Sequence, residues 1–223
     1  MPLFKNRPFA LTGCKEVIFP KMIEPVRRFI RNKQLIMIIL AIVTGAAAAF
    51  GAVLFREIVV LLQTGTFGAS LENSVNVIDN LPGWQVVTVP TIGGLLIGLF
   101  VYYLMPGRRG QGVADVMEAA ALRSGTIPLK AGLGAAAVSA ASIGVGASVG
   151  REGPVVHLGA SLSSFVATRL RLSRSQAVTL LGCGVASAVA ASFNAPIAGV
   201  FFALEVVIGH YALSAFAPIV IAG

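Results

Sequence analysis

Gly150-Arg151-Glu152-Gly153-Pro154 sets an arginine and a glutamate side by side between two apolar segments, Ala131–Val149 and Val155–Val166, neither of which carries a charge. Ionisable residues at membrane depth are costly and mark a functional site by default, whereas a short water-exposed loop would carry the same two charges solvated. The neighbouring residues tilt the choice towards a site. Gly150 and Gly153 let the backbone turn tightly and come close to a ligand. Pro154 suits the first turn of a helix, where its missing N–H costs nothing. The pattern predicts a helix starting at Gly153 or Pro154, with its free amides and positive dipole end beside Glu152. Such a helix start binds anions, and Glu152 is itself an anion on a tether. Arg151 and the backbone from Gly153 and Pro154 to Val155 and Val156 complete the candidate anion-binding element.

Three other positions invite chemistry. His157 lies about one turn past Glu152; an intramembrane histidine can relay protons, but a lone histidine on an apolar face is more often a packing residue, and that reading is preferred. Glu205 ends the uncharged run Gln176–Leu204, either as an interfacial carboxylate or as the lining of a water or proton path. Gly110-Gln111-Gly112 precedes a short helix, Asp115–Leu122; spacing alone favours an ordinary turn and helix there. Cys14 and Cys183 form neither a disulfide framework nor a metal spacing. Cys183 stands between glycines, as a small packing residue would. No nucleophile motif, no His-Glu-x-x-His and no paired catalytic carboxylates occur, so no enzymatic activity, metal or cofactor is expected.

The elements that must hold these residues are apolar helices. Of 223 residues, 56% are hydrophobic and 12% charged, which is not the balance of a soluble chain. Leu35–Leu62 and Val86–Met105 are long enough to cross a bilayer. The segment Gln63–Pro82 between them holds Glu72 and Asp79 but no Lys or Arg, whereas Arg108 and Arg109 follow the second span. With eight basic residues before Gln34, this places the N-terminus in the cytoplasm. That bias also accounts for the net charge of +8 without nucleic acid. Residues 1–33 form a basic cytoplasmic segment, with Val17–Phe29 able to lie on the membrane surface, and residues 34–223 form the membrane domain. Ala131–Val149, rich in Gly, Ala and Ser, suits a helix packed on several sides. The next helix runs from Pro154 to about Thr168. Pro196 breaks Gln176–Leu204 into helices near 175–191 and 195–209, with Asn194 able to cap the second. Tyr211–Gly223 begins one more apolar segment without a polar flank.

GREGP at Gly150–Pro154 and FNAPIAGVFFALE at Phe193–Glu205, after the small-residue run Gly182–Ser192, together resemble the chloride channel and chloride/proton antiporter family, CLC. The resemblance covers Leu35 to the C-terminus, about half of the family pattern. It implies an all-α integral membrane fold of tilted and broken helices, one half of an inverted repeat. It implies transport of small anions, chloride first, with Glu152 as the gating carboxylate. Gly110–Ala114 matches the family's first anion motif, commonly Gly-Ser-Gly-Ile-Pro, with Gln111 at the serine position and Ala114 at the proline position; Gly110, Gln111 and Gly112 are therefore expected to contribute to anion binding. Antiporters of the family often place a second glutamate directly after the position of Glu205; here it is Val206, which favours channel-like or weakly proton-coupled movement. The resemblance also implies a homodimer, in the cell membrane, that needs a second half of the fold. Three alternatives stand beside this reading: a truncated or assembly subunit that does not transport, a chloride/proton antiporter, and a carrier of another anion such as fluoride or nitrate.

Overall fold

A computed structural model describes residues 19–68, 81–105, 109–209 and 213–223. Lys5, Arg7, Cys14, Lys15, Glu16, Glu72, Asp79, Arg108 and Tyr211 lie outside the described residues. The chain divides into two units, Met1–Ile36 and Met37–Gly223. In the first, the described residues from Phe19 are helical. The second carries the remaining elements, and every regular element described is a helix. In order they are α1 (Phe19–Phe67), α2 (Gly83–Leu104), α3 (Val113–Leu122), α4 (Leu129–Gly144), α5 (Glu152–Arg169), α6 (Arg174–Phe193), α7 (Pro196–Phe202) and α8 (Leu213–Ala222). A π-helical turn, Ala203–Ile208, continues α7. Three helical stretches are long and apolar enough to cross a membrane: Gln34–Phe67, Gly83–Tyr103 and Arg174–Phe193.

The boundaries follow local chemistry. Pro82 and Pro128 hold extended backbone immediately before α2 and α4, as residues preceding a helix do. Ser173 opens α6; its N–H and its hydroxyl both donate to Oε1 of Gln176, at 3.2 Å and 2.8 Å. The helix expected over Ala131–Val149 stops at Gly144. Gly146 adopts φ +90°, a conformation that favours glycine, and the ring of Phe67 lies close beside it. Residues 147–150 then run without regular structure to α5. The break near Pro196 is where the sequence puts it, but its capping differs from expectation. Asn194 ends α6 in the left-handed conformation, φ 51°, and Ala195 is the residue that precedes α7. An Asn bound to this C-terminal role cannot cap the following helix.

α6 is the centre of the domain. Residues from Leu180 to Ala190 are buried without a break, as expected of a helix that is apolar on all sides. Small residues bring its neighbours close. A Cβ on Gly159 of α5 would meet the backbone of Gly184 and lie 2.7 Å from the Cβ of Ala188. A Cβ on Gly199 of α7 would lie 2.5 Å from the carbonyl oxygen of Ala186. Cys183 is wholly buried in the same core. α5 is buried over most of its length, and α4 packs against it through Gly132, whose missing side chain leaves room for Ser161. α2 is the opposite case: none of its span is buried, and Trp84, Leu95 and Tyr103 are widely exposed. It is tied to the rest by Gly93 against Val145 and by a 2.7 Å bond from Gln85 Nε2 to the Thr66 carbonyl.

Candidate anion site at converging helix ends

The starts of α3 and α5 meet back to back. A Cβ on Gly153 would lie 3.5 Å from the Cα of Gly112, and one on Gly112 would lie 3.9 Å from the Cα of Gly153. Two residues without side chains allow this approach, so two helix ends share one neighbourhood. Their flanking glycines are unobstructed. A Cβ on Gly110 or Gly150 would meet nothing within 4 Å, which leaves the backbone there open.

The α5 start supplies Arg151, Glu152 and Gly153. Glu152 is the first helical residue, one earlier than Gly153, and it is exposed. Val155 N–H donates to the Arg151 carbonyl at 3.3 Å, so it belongs to the helix's own ladder. Pro154 has no N–H to offer, and the amides ahead of it are those of Glu152 and Gly153. The side chains of Pro154, Val155 and Val156 are buried and anchor this end in the core. Arg151 lies over the ring of Phe193, its guanidinium carbon 5.9 Å from the ring centroid. That contact brings the end of α6, and with it the α6–α7 break, alongside the α5 start.

The α3 start is arranged differently. Gly112 N–H donates to Asp115 Oδ2 at 2.9 Å, and Asp115 also accepts from Arg109 Nη2 at 2.6 Å. A carboxylate of the chain itself therefore stands at this helix end, held by a guanidinium. Gln111 is half-buried beside it. Sequence reasoning took Asp115, with Glu118, as support for an ordinary turn and helix, not as a carboxylate held at the helix end. The signal was available: an acidic side chain three residues after the residue preceding a helix is the spacing at which it reaches back to that residue's N–H. The Arg151–Phe193 contact had no local signal, because it joins residues far apart in the chain.

Of the remaining candidates, His157 is buried on α5 at 1% exposure. Glu205 sits in the π-helical turn and is exposed. Among the described residues no group of three or more His, Cys, Asp or Glu could hold a metal ion. The arrangement is one helix end, that of α5, with open glycine backbone at Gly150 and Arg151 beside it, next to a second end that already holds the Asp115 carboxylate; the open end suits a small anion held by partial charges.

Residues 93–223 match the family described as voltage gated chloride channel. A ClcB-like chloride channel protein of Ralstonia nicotianae is 35% identical over 189 residues, covering 83% of this chain and 44% of that protein. A voltage-gated ClC-type chloride channel ClcB of Escherichia coli is 31% identical over 186 residues, 82% of this chain and 44% of its own length. Its counterpart from Yersinia pseudotuberculosis is 28% identical over 187 residues, 83% and 45%. The chain thus spans less than half the length of these relatives.

Proposed function

This chain belongs to the voltage-gated chloride channel family, and on that premise we propose that it forms one half of a pore for small anions, chloride first, gated by Glu152. The observation that carries the reading is the meeting of the α3 and α5 starts at Gly112 and Gly153, with Glu152 on the first turn. Anions bound by amides and dipoles rather than by full cationic charge enter readily and still leave. Gly150, Arg151 and Gly153 line one side; Gly110 and Gln111 line the other, where the Gly112 N–H is already held by Asp115.

Glu152 competes with chloride for the same helix end. Ionised, its carboxylate occupies the place of the anion; protonated, it has no charge to hold it there. Low external pH and high chloride both open the path on this account. Val206 cannot carry a proton, so coupling through that position is absent, and movement is channel-like or weakly proton-coupled. The other half of the fold and a second subunit are its proposed partners in the cell membrane, with the N-terminus in the cytoplasm.

Chloride efflux from liposomes containing the chain, with external pH recorded, tests this. Efflux that responds to Glu152→Gln is expected. Efflux indifferent to Glu152→Gln removes Glu152 as the gate. No efflux from folded, inserted chain assigns transport to a longer or two-part protein, in which this chain holds part of the anion site.

A further inference from the structure

His157 is buried at 1% exposure, and its Nδ1 has no hydrogen-bond partner among the described residues. An orphaned buried polar atom costs about 1–3 kcal/mol, and each one in a folded chain calls for a reason. Its surroundings supply one. His157, Ser161, Ser164 and Thr168 recur at helical spacing and share one side of α5. Gly153 precedes them by one turn on that side. The side faces the wedge between α3 and α4: Gly153 meets Gly112, Gly132 sits against Ser161 and the His157 carbonyl, and Ser164 Oγ accepts from Ile127 N–H at 2.8 Å. Ser161 and Ser164 are buried as deeply as His157. A polar track thus runs inside the domain from the converging helix starts towards the far end of α5, and the Nδ1 of its one titratable member lacks a partner among the described residues.

We propose that His157 is a proton-binding residue whose charge adds a second pH response to anion movement, independent of Glu152. The proton bonds to the free Nδ1 lone pair and leaves from the same atom, and no other bond changes. The imidazolium adds positive charge beside the two helix starts, so anions are held more strongly when it is protonated. On its own helix the nearest carboxylate in sequence is Glu152. On α3 the charged group at the converging helix starts is Asp115, to which Arg109 is paired. From α4 the buried residues are Ala131, Gly132, Ala135, Ala136, Ala140 and Gly144, which bring no titratable group. α6 packs on another side of α5, through Gly184 against Gly159. The effect on flux rests on the proposed anion pore; the proton binding does not.

Two measurements separate the two. The chain has two histidines, so His210→Gln leaves the imidazole of His157 as its one histidine signal. With ¹⁵N-histidine in lipid nanodiscs, its nitrogens are followed from about pH 4 to 8, a range that extends below the ordinary histidine switch because burial disfavours the charged form. A shift of both nitrogens to imidazolium values is expected, with a midpoint moved by Asp115→Asn. A ring that stays neutral throughout overturns the proposal, whether or not the chain conducts. Where it conducts, flux in Glu152→Gln keeps a pH dependence that Glu152→Gln/His157→Gln loses. Flux already independent of pH in Glu152→Gln overturns the second response. Absence of flux from all variants, with a titrating ring, leaves the proton site standing and counts against the pore alone.

Discussion

Glu152 and Gly159 show how much a single position can decide. Glu152 stands exposed on the first turn of α5, so replacing it removes a charge without opening a cavity. Glu152→Gln is expected to fold as the parent does, raise chloride efflux at neutral pH, and lose the part of the acid response that requires a carboxylate. Efflux assays across pH, with circular dichroism as the folding control, check this. Gly159 is the reverse case. An added methyl would run into the Gly184 backbone and Ala188. Overpacking of this kind costs about 1–3 kcal/mol, so Gly159→Ala should unfold at lower temperature or lower SDS than the parent. Gly94→Ala is the control, because nothing lies within 4 Å of the added carbon. That change should be neutral or stabilising by up to about 1 kcal/mol, since alanine is the better helix former.

At the scale of elements, the α6–α7 break depends on Asn194. Its left-handed backbone is tolerated by Asn and Gly but costs other residues about 1–2 kcal/mol. Asn194→Gly should therefore leave thermal stability unchanged, and Asn194→Val should lower it. The sequence announced this break through Pro196, and it announced α2, α3 and the start of α5 through Pro, Gly and charge placement. Two features were not legible. The early end of α4 depends on Gly146 lying under Phe67, a contact between distant segments; an uncharged run by itself reads as helix as far as its last apolar residue. The role of Asn194 is hidden for a related reason. Asn serves either helix end, and only the backbone angle tells which. The candidate site was legible as a set of residue types around GREGP. That Gly112 and Gly153 touch is a fact of tertiary packing, which neither motif states.

For the molecule as a whole, α2 works as a ruler. Its 22 residues are about 33 Å long, close to the thickness of a hydrocarbon core. Trp84 near its start and Arg109 beyond its end are both well exposed. If the N-terminus is cytoplasmic, a thiol-specific, membrane-impermeant reagent should label Trp84→Cys from outside and Arg109→Cys only from inside, in a chain lacking Cys14. Cys183, wholly buried, should stay unlabelled in the folded protein. The reverse pattern would invert the proposed orientation.

The π-helical turn at Ala203–Ile208 carries a consequence of its own. A turn of this kind holds one residue more than an α-helical turn, so the wheel on which α7 is drawn slips by about 100° across it. Residues within the turn therefore obey a different phase from those of α7 before it. In a saturation scan of this segment, tolerance to polar substitution should rise and fall in step through Phe202 and fall out of that step within the turn, which ends at Gly209. Glu205 and Val206 fall inside the turn, so a helical wheel extrapolated from Pro196 would assign both to the wrong neighbours.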